Sequence, residues 1–84
     1  IAEARAKIFD ARRLFLMSEP DKASKLAQEG LHIAEKMQMP YDIGLAHMVL
    51  GRINSDNAHT QKAHEIFKAI KSEWGLHQLE HFDI

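Results

Sequence analysis

The chain has 84 residues, 45% of them hydrophobic, which is enough for one small domain and too few for a second independent core. The formal net charge is −1, from 11 lysines and arginines against 12 acidic residues, so the charge balance does not favour a polyanion such as nucleic acid as partner. The absence of cysteine excludes disulfides and thiolate zinc sites, and the longest apolar run, residues 14–17, is far too short to cross a membrane.

Two amphipathic segments predict a helical hairpin over about residues 2–38. Apolar residues of the first segment recur every three or four positions, as one face of a helix requires: Ala4, Ile8, Ala11 and Phe15. Pro20 suits the first turn of the second helix, whose buried face carries small residues: Ala23, Ala27, Gly30 and Ala34. Gly30 costs up to about 1 kcal/mol of helix propensity relative to alanine, so we expect a neighbouring helix to cross closely there.

A second hairpin is predicted over about residues 41–74. Its first segment carries apolar residues on two faces, which implies contacts on two sides. After a polar turn at residues 54–60, one apolar face runs through the next segment: Ala63, Ile66, Phe67, Ile70 and Trp74. We expect Trp74 to be packed in the core, Gly75 to mark a helix end, and a short terminal helix to follow over about residues 76–82.

The two hairpins predict an internal repeat, for which two registers compete. A shift of 40 residues superposes Arg12 on Arg52. It also sets small Ala11 against small Gly51, whereas a shift of 36 residues sets bulky Phe15 there. We prefer 40, because a small residue late in the first helix of a hairpin lets the second helix cross closely, and phenylalanine would cost packing.

In this register, Leu50 and small Gly51 lie late in the first helix of the second hairpin, and Ala63 and Phe67 lie in its second helix. With these residues the chain resembles the tetratricopeptide repeat family, in which a leucine is followed by a small residue at the position of Leu50 and Gly51. Ala63 and Phe67 resemble its alanine and aromatic residue in the second helix, although the aromatic residue expected early in the first helix is absent from both hairpins. The spacing and the long second helix resemble the extended variety of about 40 residues found in bacterial signalling and transcription-regulating proteins.

The resemblance implies an all-α fold, with two stacked antiparallel helical hairpins in an α-solenoid and a short C-terminal helix. It also implies a cytoplasmic protein–protein interaction module that is not an enzyme, needs no cofactor, and binds a partner or peptide on a concave helical surface. Because Ile1 opens a segment that already looks helical, we expect the chain to be a fragment of a larger regulatory or signalling protein.

Three arginines are candidates for binding that partner. The resemblance places Arg5, Arg12 and Arg52 at first-helix positions that line the concave surface. Guanidinium groups bind carboxylates bidentately, so we hypothesise an acidic or C-terminal peptide segment as the ligand. The alternative is that these arginines form ion pairs with neighbouring acidic residues on a solvated face.

A second candidate partner-binding patch lies on the third segment. Leu45 and Met48 do not fit the apolar stripe that meets the fourth segment, so they are candidates for contact with a partner. The alternative is that they pack against the first hairpin, which is the expected role of such residues in a stacked array. Both interpretations follow from the two apolar faces of this helix.

A structural role is the alternative to ligand binding. Two repeats are fewer than the three or more that stable arrays usually need. The segment would then complete a longer repeat array or form a homodimer, without a separate ligand.

One motif points to a different chemistry. His77, Glu80 and His81 form the pattern H-x-x-E-H, which on a helix places two imidazoles and a carboxylate together, as in inverted zinc proteases. A zinc-dependent hydrolase is therefore a remote alternative. A catalytic zinc needs a third protein ligand and a shaped cleft, which the sequence does not indicate, so we expect neither catalysis nor a metal site. His47 and His59 we interpret as surface or boundary residues.

Overall fold

The structure, a computed structural model, describes the backbone of residues 3–81 and the side chains of residues 3–79. This part of the chain forms five helices: α1 (Glu3–Leu16), α2 (Pro20–Lys36), α3 (Pro40–Asn54), α4 (Asn57–Ala69) and α5 (Glu73–His81). Within the described residues, no helix is long and apolar enough to span a membrane.

The helices form two stacked antiparallel hairpins, α1 with α2 and α3 with α4, and α5 follows as a short fifth helix. The all-α prediction is therefore confirmed. Helix α3 is central, because it contacts α1 and α2 on one side and α4 and α5 on the other. Helices α1, α3 and α5 run in the same direction, since Arg5 contacts Asp42, the Tyr41 and Trp74 rings are close, and Leu79 lies beside Arg52. Their first turns therefore lie at the same end of the molecule.

The first four helices end in the same way. In each, a residue with φ between 51° and 64° follows the last turn: Ser18, Gln38, Ser55 and Lys71. The next residue then donates its N–H to the carbonyl five positions earlier, as in a Schellman motif. These bonds are Glu19 to Leu14, Met39 to Ala34, Asp56 to Gly51 and Ser72 to Phe67.

These helix ends give the spacing of the two hairpins, which differs between their first and second helices. Ser18 and Ser55 lie 37 residues apart, and Gln38 and Lys71 lie 33 apart. The preferred register of 40 residues is therefore wrong, because it aligned residue types rather than the turns. Arg12 and Arg52 do not occupy equivalent positions in the two hairpins.

The core lies on both sides of α3. Every residue from 44 to 51 is buried, which confirms the prediction that this helix makes contacts on two sides. Leu45 is fully buried and Met48 is 3% exposed. Their assignment as a partner-binding patch is therefore wrong, and the alternative, packing within the stack of hairpins, accounts for them.

Close helix contacts occur at glycines. A Cβ atom on Gly30 would lie 2.8 Å from Cγ1 of Ile8, which confirms the predicted close crossing of α1 and α2. The ring of Phe67 lies between Gly44 of α3 and Gly75 of α5, where added Cβ atoms would approach it to 2.6 and 2.5 Å. Phe67 is completely buried, so it joins three helices at one point.

The boundary between the last two helices differs from the sequence prediction. Helix α4 ends at Ala69 and α5 begins at Glu73, so Trp74 and Gly75 belong to α5. The Ser72 side chain accepts a hydrogen bond from the N–H of Gly75 at 3.1 Å, as an N-cap residue does. Gly75 therefore does not end a helix, and Trp74 is 47% exposed rather than packed in the core. The predicted terminal limit at residue 82 lies outside the described residues.

Candidate partner-binding surface

A row of three large side chains crosses the first turns of α1, α3 and α5. The guanidinium carbon of Arg5 lies 5.1 Å from the centre of the Tyr41 ring. The Tyr41 and Trp74 rings lie 6.1 Å apart with their planes at 48°. We call this set the Arg5–Tyr41–Trp74 row.

The row is accessible from solvent. The Arg5 side chain is 48% exposed, Trp74 is 47% exposed, and Tyr41 is half-buried between them. Arginine, tyrosine and tryptophan are the residue types most enriched in the energetic centres of protein interfaces, because they combine large apolar area with polar groups.

A buried carboxylate fixes the cationic end of the row. Asp42 is completely buried, and its Oδ1 accepts a hydrogen bond from Nε of Arg5 at 2.9 Å. The described residues offer no hydrogen-bond donor to the other oxygen, Oδ2. A buried charge is tolerated only when it is paired, so Asp42 holds Arg5 at this position.

Core packing fixes the aromatic part of the row. The Phe67 ring lies 6.0 Å from that of Tyr41, with the planes at 52°, and the close contacts at Gly44 and Gly75 hold Phe67. Burial raises the pKa of the Tyr41 hydroxyl above its usual value, with Arg5 opposing this change and Asp42 adding to it. Tyr41 is therefore a neutral phenol at physiological pH, able to donate a hydrogen bond.

The other candidate arginines lie away from the row. Arg12 is half-buried in the third turn of α1. Arg52 is exposed in the last turn of α3, where it lines a cleft with Thr60 and Leu79. Because α1 and α3 run in the same direction, Arg5 and Arg52 lie at opposite ends of the molecule.

A histidine pair joins α3 to α4. The Nδ1 atoms of His47 and His59 lie 2.9 Å apart, so one ring donates its proton to the other. His47 is only 6% exposed, and Nε2 has no hydrogen-bond partner among the described residues. The interpretation of His47 as a surface or boundary residue is therefore wrong. Burial lowers its pKa below the usual value; His59 and Lys62 add to this effect, and Glu35 opposes it.

The predicted zinc motif extends beyond the described side chains. His77 lies in α5, but the side chains of Glu80 and His81 are outside the described set. Among the described residues, no three histidine or acidic side chains are grouped so that they could hold a metal ion. The zinc-dependent alternative stays a prediction.

Sequence reasoning found Arg5 but missed Tyr41 and Asp42. The spacing of the helix ends relates these residues, but no glycine marks those ends in the sequence. At the 37-residue spacing Arg5 and Asp42 are equivalent positions on neighbouring helices, and at the 33-residue spacing so are Tyr41 and Trp74. The Arg5–Asp42 pair and the Tyr41–Trp74 contact therefore each join equivalent positions of neighbouring helices, at two different spacings.

Comparisons of the chain with models of protein families, with curated proteins and with solved structures find no match.

Proposed function

We propose that this chain is a protein-binding module, resembling tetratricopeptide repeats, that docks a partner on the Arg5–Tyr41–Trp74 row. The observation that carries the proposal is the contiguity of three half-exposed side chains of the types that dominate interface energetics. The proposal includes no catalysis and no cofactor. It places the module in the cytoplasm as part of a larger regulatory or signalling protein.

The packing beneath the row supports this proposal. An isolated surface arginine loses side-chain freedom when a partner binds, which costs about 0.5–1.5 kcal/mol for each immobilised side chain. Here Asp42 and Tyr41 already hold Arg5, and Phe67 supports Tyr41 from the core. These side chains are therefore already ordered in the folded chain, and a partner that binds them restricts them little further.

The test is a selection from a display library of random unstructured peptides. We expect the wild-type chain to enrich peptides that lose binding to the Trp74→Ser variant and keep binding to Arg13→Gln. Arg13 is a suitable control, because it is 70% exposed on α1 and pairs with Asp10 one turn away on the same helix. A selection in which every enriched peptide binds Trp74→Ser as well as wild type would contradict the proposal.

Self-assembly is the second candidate function, and exposed apolar residues on α1 favour it. Leu16, the last residue of α1, and Met17, which follows it, are 60% and 61% exposed, and Phe9 is 41% exposed two turns before Leu16. The test is the molar mass by light scattering over a hundredfold concentration range. Concentration-dependent dimerisation that Phe9→Ser and Leu16→Ser abolish would support this candidate, and a monomer throughout would exclude it.

A further inference from the structure

We propose that the Arg5–Tyr41–Trp74 row recognises an extended peptide segment in which an aspartate or glutamate lies two positions from an aromatic or large aliphatic residue. The carboxylate would bind the outer edge of Arg5, and the apolar side chain would pack on Trp74 and Tyr41. This inference rests on the proposed function and names the chemistry of its partner.

At its arginine end the row presents a positive charge, which favours an acidic group there. Asp42 contacts Arg5 through Nε, and its side chain is 1% exposed. The anion of this pair is therefore hidden from an approaching molecule, whereas the Arg5 cation is 48% exposed. The two Nη groups present parallel N–H donors that match the two oxygens of a carboxylate. A basic segment would meet an exposed positive charge at the same place.

The aromatic end selects an apolar side chain. The Tyr41 and Trp74 rings meet at 48° rather than lying parallel, and Trp74 leaves 47% of its surface in water. Covering this surface with an apolar group gains about 25 cal/mol for each Å² removed from water. Phenylalanine and leucine side chains offer the most such area without introducing a polar group that needs a partner.

The length of the row sets the spacing between the carboxylate and the apolar side chain of the peptide. The separations of 5.1 and 6.1 Å, laid end to end, place the Arg5 guanidinium and the Trp74 ring no more than about 11 Å apart. In an extended chain, side chains alternate between faces and rise about 3.3 Å per residue, so positions i and i+2 share a face about 7 Å apart. Adjacent positions face opposite ways, and positions i and i+4 lie about 13 Å apart, which exceeds the row.

The test uses capped synthetic peptides, with the fluorescence of Trp74, the single tryptophan of the chain, as the signal. The probe is acetyl-Glu-Ser-Phe-Ser-Glu-amide, whose symmetry places a glutamate two positions from phenylalanine in either chain direction. The neutral control is acetyl-Gln-Ser-Phe-Ser-Gln-amide. The spacing control is acetyl-Ser-Glu-Phe-Glu-Ser-amide, which has the same composition of charged and apolar residues.

We expect the glutamate probe to bind about tenfold more tightly than the glutamine control, as one charge-assisted bidentate contact implies. The spacing control should bind like the glutamine peptide. Arg5→Lys, which keeps the charge and loses the fork, should weaken the probe several-fold, and Arg13→Gln should leave it unchanged. The Arg5→Gln/Asp42→Asn double variant, which strands no buried charge, should abolish the preference for glutamate.

Equal affinity for the glutamate and glutamine peptides, or for the two spacings, would overturn the inference. It would also be overturned if the uncapped peptide Gly-Ser-Phe, with its terminal carboxylate, binds more tightly than the capped probe. Peptides from the display selection that need Trp74 but carry no acidic residue would remove this inference and leave the proposed function standing. A selection without any peptide that depends on the row would remove both.

Discussion

The carboxylate of Asp42 and the guanidinium of Arg5 form an ion pair in which the anion is buried and the cation faces solvent. Their contact, 2.9 Å from Nε to Oδ1, joins the first turns of α1 and α3. Because the two partners differ so much in exposure, removing one is not equivalent to removing the other.

Arg5→Met should therefore destabilise the fold more than Asp42→Asn. Loss of Arg5 leaves a buried carboxylate without its partner, which we expect to lower the free energy of unfolding by about 2 kcal/mol. Loss of the Asp42 charge leaves Arg5 able to turn into water, at a cost of about 1 kcal/mol. Urea unfolding of Arg5→Met, Asp42→Asn and the variant with both changes measures the coupling free energy between the two side chains. A larger loss for Asp42→Asn would contradict this account of the pair.

Gly75→Ala should detach α5 from the rest of the molecule. A new Cβ atom would lie 2.5 Å from Cγ of Phe67, and Gly44 blocks the ring from moving to the other side. We expect a loss of about 1–3 kcal/mol, although alanine in an open helix position is more stable than glycine by about 0.5–1 kcal/mol.

Hydrogen exchange measures whether the loss in Gly75→Ala is confined to α5. Phe67→Leu should partly rescue the variant, because the smaller side chain makes room for the methyl group. Stabilisation by Gly75→Ala would show that the contact with Phe67 is looser than described. The variant should also weaken peptide binding without changing any exposed residue, since α5 carries Trp74.

Gln38→Gly should stabilise the protein by about 1 kcal/mol. Gln38 has φ of 55° at the end of α2, a conformation that costs a residue with a side chain about 1–2 kcal/mol and costs glycine nothing. The matched control is Gln61→Gly, at an exposed position inside α4, which should destabilise by about 1 kcal/mol. Thermal unfolding of the two variants should shift in opposite directions, and shifts of the same sign would contradict the assignment of this turn.

Stability should fall as the pH drops below about 6.5, the usual pKa of histidine. Burial lowers the pKa of His47, so the unfolded chain binds its proton more readily than the folded one. The contribution of His47 is therefore complete above this pH and is lost as the pH falls toward the lowered pKa. A second proton would also place two N–H groups head to head between His47 and His59.

Urea unfolding at several pH values measures this dependence, which cannot exceed about 1.4 kcal/mol per pH unit for one proton. His47→Gln should flatten the pH profile below about pH 6.5. An unchanged slope in His47→Gln would contradict the role of the buried ring.

Local patterns predicted most of the fold. The apolar spacing in α1 and α2 identified buried faces correctly, and Pro20 and Pro40 are the first residues of their helices. The end of α4 was missed, because Lys71 stands in the left-handed conformation where glycine is the usual signal. Gly75 was wrongly expected to end a helix, because glycine is the usual residue at such an end. It serves the contact with Phe67 rather than a turn.

The binding surface was only partly predictable. Arg5 was a candidate from its place on the first helix, but its pairing with Asp42 depends on the 37-residue spacing of the turns. Alignment by residue type gave 40 instead and paired Arg12 with Arg52. The apolar pattern also did not predict the exposure of Trp74. This residue continues an apolar stripe in the sequence but lies after a helix break at residues 70–72. Both the pairing of Arg5 and the exposure of Trp74 depend on how the helices pack, which the local pattern does not contain.

The most direct test of the proposed docking surface is a ¹⁵N NMR titration of the whole chain with the strongest peptide from the display selection. The proposal predicts that the largest shift changes occur in the first turns of α1, α3 and α5, together with the indole N–H signal of Trp74. Changes confined to the cleft beside Arg52, or to the outer faces of α2 and α4, with the Trp74 indole signal unmoved, would contradict it.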